Sequence, residues 1–282
     1  MITEVFMKEH NTIKPEDYVE PECLLCMDAD APVRSIDVRR FLSKLDSYFD
    51  KNDYDGARRH LEYWYAEAVA GRDLRGRFSV LNEMLGFYRK TGNREKALGA
   101  VHEIVQVIHE LGTDNSVGSA TAYINIGTVY KAFSMSEDAL PYFERASTIY
   151  TDGLKPDDVR FGGLYNNMAL VLTDLKQYDR AYEYYNKALS IMLNAADGKP
   201  EAAVTYLNMA NAAEARLGLE EAEELITDYL DRAELCLDSP DNERNGNYAF
   251  VCEKCAPVFS YYGRFFYAAE LKKRMSEIYE GT

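Results

Sequence analysis

The sequence predicts an all-α chain, a right-handed α-solenoid of about six helix-turn-helix units over residues 37–282, preceded by an arm over 1–36. Three observations carry this. Within GGLYNNMALVLTDLKQYDRAYEYYNKALSIM at 162–192, Tyr165, Met168, Ala169 and Leu172 recur at helical spacing, as do Ala181, Tyr185 and Ala188. The polar break LKQYD between the two sets reads as a tight turn joining antiparallel helices. The alanine after such a break then recurs at Ala57, Ala97, Ala139, Ala181, Ala222 and Ala268, in steps of 40, 42, 42, 41 and 46 residues. Finally, sixteen residues before each alanine stands Phe41, Leu81, Tyr123, Tyr165, Tyr206 or Cys252, and nine before it Tyr48, Tyr88, Tyr130, Leu172, Ala213 or Phe259. Small residues such as Ala169 and Ala181 fall where paired helices cross, because a large side chain there would push the axes beyond about 8–10 Å.

Tyr165, Met168-Ala169, Leu172, Tyr178, Ala181, Tyr185 and Ala188 together resemble the tetratricopeptide repeat, a helical hairpin of about 34 residues. The longer period here is similar to repeats of the kinesin light chain kind, in which the second helix and following loop are extended. The resemblance implies a peptide- or protein-binding scaffold whose first helices line a concave groove.

The repeats are expected at approximately 38–71, 78–111, 120–153, 162–195, 203–236 and 249–282. Repeat 1 ends in the connection GRDLRGR, and Trp64 fills a second-helix position held by Ala146 and Ala188 in the middle copies. Either the arm covers that bulk or the first repeat packs differently. LDSPDNERNGN is the longest connection between repeats. In the last helix Lys272 takes the place of Leu61, Val101, Phe143, Tyr185 and Ile226, which suits an end repeat with a wet face. The arm carries Pro15, Pro21, Pro32 and a CLLC at 23–26.

The formal charge of −15 argues against nucleic acid, where affinity comes from Lys and Arg on phosphates, and against an anionic membrane surface. A hydrophobic content of 47% excludes wholesale disorder. No apolar run reaches the ~18 residues of a membrane span, and MITEVFMKEH lacks the apolar core of a signal peptide. An odd count of five cysteines fits free thiols in a reducing compartment, so a cytoplasmic chain is expected.

Cys23/Cys26 and Cys252/Cys255 have the spacing of half zinc sites, yet the second pair falls on core positions of the sixth repeat. Buried structural thiols are therefore expected, with no metal and no cofactor. His102 and His109 stand about 10 Å apart along one helix, too far to grip one ion. No phosphate loop, HExxH, GxSxG or catalytic grouping is present, and a binding protein rather than an enzyme is expected.

In arrays of the resembled family, the residue two after the aromatic position points into the groove. Here that residue is Ser43, Glu83, Asn125, Asn167, Asn208 and Lys254, with Asn82, Asn166 and Asn211 close by. An amide offers donor and acceptor together and so matches an extended peptide backbone. The alternative is that these asparagines bridge adjacent helices of the array. Arg89, Lys90 and Lys131, set against Asp174 and Glu214 further along, would direct acidic groups of a partner toward the N-terminal half. Two other readings stay open: a signalling-peptide receptor without an output module of its own, and a homo-oligomeric assembly scaffold.

Overall fold

The computed structural model describes residues 32–281, which form twelve α-helices. In order these are α1 (Val38–Phe49), α2 (Tyr54–Ala70), α3 (Leu74–Lys90), α4 (Arg94–Glu110), α5 (Val117–Ala132), α6 (Ser136–Gly153), α7 (Arg160–Asp174), α8 (Tyr178–Met192), α9 (Lys199–Leu217), α10 (Glu223–Leu237), α11 (Gly246–Tyr261) and α12 (Phe265–Glu280). Consecutive helices pair as hairpins, α1 with α2 through α11 with α12, and successive hairpins stack into an α-solenoid. The first helices also touch along the array, α3 on α5, α5 on α7, α7 on α9 and α9 on α11. Successive second helices make no comparable contact, so the first helices form the inner face.

The turn inside each hairpin explains the recurring break. Asn52, Gly92, Ser134, Lys176, Gly218 and Gly263, one per hairpin, adopt positive φ. In five turns a backbone N–H beyond that residue closes on the carbonyl of the residue nine before the alanine: Asp53 on Tyr48, Asn93 on Tyr88, Met135 on Tyr130, Gln177 on Leu172 and Arg264 on Phe259. This is the left-handed helix cap that satisfies the last carbonyls of the first helix. The fifth hairpin departs from it: α9 runs on to Leu217, the Gly218 N–H returns to Glu214, and Ala222 is the N-cap of α10 rather than part of it.

All six recurrent alanines are buried, as are Phe41, Leu81, Leu172, Ala213, Cys252 and Phe259. Gly127 shows how tight the crossings are, since a Cβ there would stand 2.6 Å from the Phe143 ring. The GRDLRGR stretch is mostly not a connection: only Gly71–Asp73 lies between helices, and α3 begins at Leu74 because Asp73 caps it, its Oδ1 accepting the Gly76 N–H at 2.9 Å. Its other oxygen accepts the Ile36 N–H at 2.9 Å, which ties the segment before α1 to the second repeat.

Trp64 packs on Phe41 and His60 within its own repeat. The described part of the arm crosses about two turns further on, where the Arg34 N–H meets the Gly71 carbonyl at 3.1 Å. Residues 1–31, including Cys23 and Cys26, lie outside the described residues. Lys272 is exposed and the neighbouring Leu271 is buried instead. No helix among the described residues is long and apolar enough to cross a membrane.

Candidate functional site: the inner helix face

The ladder asparagines all stand half-buried on the first helices: Asn125 on α5, Asn167 on α7 and Asn208 on α9. They are not equivalent. The Asn125 Nδ2 donates to the Asn82 Oδ1 at 2.9 Å, and the Asn208 Nδ2 donates to the Asn166 Oδ1 at 3.1 Å. In each rung the residue two after the aromatic position reaches back to the residue one after it in the preceding repeat. Asn167 would need such a partner at position 124, which is Ile124. Its amide therefore makes no hydrogen bond among the described residues. Two of the ladder amides thus bridge the array, and the third, Asn167, makes no such bridge.

The flanking positions follow their own chemistry. Glu83 takes the ladder position of repeat 2. Burial, with Asp46 opposite, pushes its carboxyl above the usual range, while a hydrogen bond with Asn82 pulls the other way. Asn211 is exposed, and its Oδ1 accepts the Tyr262 hydroxyl at 3.0 Å. Glu214 accepts the hydroxyls of Tyr261 and Tyr262, both at 2.7 Å.

Part of the charge gradient read from the sequence is paired internally. Lys131 and Asp174, expected to mark opposite halves, pair with each other at 3.5 Å, and Ser136 donates to the same carboxylate at 2.9 Å. Lys90 sits over the rings of Tyr54 and Phe49, 5.3 and 6.0 Å from their centroids. Arg89 is exposed at the end of α3.

Cys252 and Cys255 are fully buried, and desolvation pushes both thiols upward, which keeps them protonated. His102 lies 3.0 Å from the Gln106 amide and His109 3.8 Å from Asp114, so each histidine has its own neighbour. Among the described residues, no three His, Cys, Asp or Glu side chains converge as metal ligands would.

The sequence reading passed over a cavity at the edge of this face, between repeats 4 and 5, lined by Gly163 of α7, Met192 of α8 and Glu201 of α9. The Gly162-Gly163 pair was its available signal, for glycine inside a helix costs about 0.5–1 kcal/mol relative to alanine. Gly162 has a packing reason, since a Cβ there would meet the Met192 side chain at 3.1 Å. Gly163 has none, since its Cβ would meet nothing within 4 Å.

An array of helical hairpins with a continuous inner strip of first helices is a repeat scaffold. Residues 77–152 and 161–234 match the tetratricopeptide repeat model, more than half of the chain, and the chain belongs to that family. Among solved structures it is similar to BtubC (BKLC) from P. vanneervenii, at 16% identity over 88% of this chain and 92% of that one, with a TM-score of 0.50. It is also similar to a Rap protein complexed with Competence and Sporulation Factor, at 15% identity over 88% of this chain and 66% of that one, with a TM-score of 0.52. The TPR-like repeats of a putative kinesin light chain from Podosopora anserina are 16% identical over 72% of this chain and 94% of that one, with a TM-score of 0.49. No curated protein sequence matches the chain.

Proposed function

We propose that this chain is a non-catalytic scaffold of the cytoplasm that binds an extended protein or peptide segment along its inner face. The observation that carries the reading is Asn167, whose amide offers donor and acceptor at the middle of the strip while its counterparts on α5 and α9 are held in rungs. Asn82, Asn125, Asn166 and Asn208 then fix the spacing of the first helices, and Asn211 and Arg89 border the strip. The test is affinity capture from native cytosol with the parent chain and with Asn167→Ala. Loss of the captured partner in the folded variant supports the groove; unchanged capture removes it.

The Rap likeness in fold accords with the narrower reading of a signalling-peptide receptor, since that protein is seen complexed with Competence and Sporulation Factor. A separate observation favours self-assembly as a second reading. The last hairpin turn exposes Tyr261, Phe265 and Phe266, the last at 94%. A mass that rises with concentration, and that Phe265→Ser with Phe266→Ser returns to the monomer, is its signature.

A further inference from the structure

The cavity between repeats 4 and 5 combines two features. Its walls are apolar, formed by Val159, Gly163, Ile191 and Met192 with the loop that leads into α9. Gly163 leaves the space over α7 open, and Asn167 lies one helical turn further along the same face. Three charged residues line it, Arg160, the exposed Asp197 and the half-buried Glu201, and they differ. Arg160 is bound in bidentate fashion to Asp158, at 2.8 and 2.7 Å, and so is neutralised. The half-buried Glu201 has neither an ion pair nor a side-chain hydrogen bond among the described residues. Lys199, two residues before it, reaches Asp241 and Ser239 instead. A half-buried carboxylate without a counter-ion beside apolar walls is complementary to a cation carried next to an apolar group.

We infer that this cavity is a side-chain pocket of the groove, one that takes an aliphatic or aromatic residue adjacent to a basic group. That group is a Lys or Arg side chain or a free N-terminal amine, and it meets Glu201. The ligand's main chain then passes Asn167. The inference rests on the peptide-binding reading and adds to it what the peptide must carry. It also reverses the expectation from Arg89, Lys90 and Lys131: the unspent charge on this stretch selects basic ligands, not acidic ones.

The test uses four nonapeptides in a Gly/Ser frame with a C-terminal fluorescein. Three are acetylated and carry a central Leu-Lys, Leu-Glu or Ser-Lys, and the fourth begins with an unblocked Leu. Each is titrated by fluorescence anisotropy against the full chain, Gly163→Leu and Glu201→Gln. The Leu-Lys or the free-amine peptide should bind about tenfold more tightly than Leu-Glu and Ser-Lys, and which of the two does so identifies the source of the cation. Gly163→Leu should abolish the preference for Leu over Ser while melting no lower than the parent, because the added side chain enters open space. Glu201→Gln should narrow the gap between the Lys and Glu peptides, and adding Asp197→Asn should close it. Equal binding of all four, or variants without effect, overturns the pocket. A phage-displayed random peptide library provides the separate control. Binders that need Asn167 but show no apolar-basic pair refute the pocket and leave the groove standing, and an absence of binders refutes the groove itself.

Discussion

Replacing single ladder asparagines by alanine should change stability with opposite signs. Asn208→Ala removes the 3.1 Å bond to Asn166, and a net hydrogen bond of this kind contributes about 0.5–1.5 kcal/mol. Alanine returns up to roughly 0.7 kcal/mol through its better helix propensity, so the net loss is about 0–1 kcal/mol. Asn167→Ala removes no bond and keeps only the propensity gain. The two variants should therefore differ by the whole bond, about 0.5–1.5 kcal/mol, which in a chain of this size separates their melting temperatures by roughly 1–6 °C. The assay is thermal and urea unfolding followed by far-UV circular dichroism, with Asn125→Ala as a second rung variant. A double-mutant cycle of Asn166→Ala with Asn208→Ala should return a coupling of the same size. Equal shifts for Asn125, Asn167 and Asn208, or no coupling in the cycle, would refute the division into rung and open amides.

Three further outcomes are expected. Ala181→Phe, at a fully buried helix crossing, should overpack and lower stability by about 1–3 kcal/mol or more in urea melts. Glu83 has a carboxyl raised chiefly by burial, so the folded chain binds its proton more tightly than the unfolded chain does. Its charge destabilises above the carboxylate range and that penalty fades as pH falls through it, so Glu83→Gln should raise the melting temperature at pH 7 and lose the advantage near pH 4. Replacing Cys252 and Cys255 together by Val or Ala should leave a folded chain, and elemental analysis of the parent should find no stoichiometric zinc.

The hairpins were legible because helical spacing and the alanine period act locally and repeat: the chance to compare six copies turns a weak pattern into a register. The connection after α2 was misjudged because GRDLRGR looks like a loop by composition, whereas the Asp73 cap starts a helix within it. The site was less legible. Asparagine at one position in three successive repeats looks uniform along the chain, but its partners lie 42 or 43 residues earlier, and only stacking shows that Ile124 interrupts the series. The pairing of Lys131 with Asp174 was hidden for the same reason, since the two face each other across a repeat boundary. Gly163 was hidden by its resemblance to Gly162, which has an ordinary packing role.

Site-specific photo-crosslinking tests the central claim, binding along the inner face, most directly. A benzoylphenylalanine placed at position 167 on α7, and another at the exposed position 186 on α8, are each irradiated in native cytosol. The groove account predicts a discrete crosslinked partner from position 167, suppressed by excess unlabelled parent chain, and none from position 186. A partner captured from position 186 and not from 167 would contradict it.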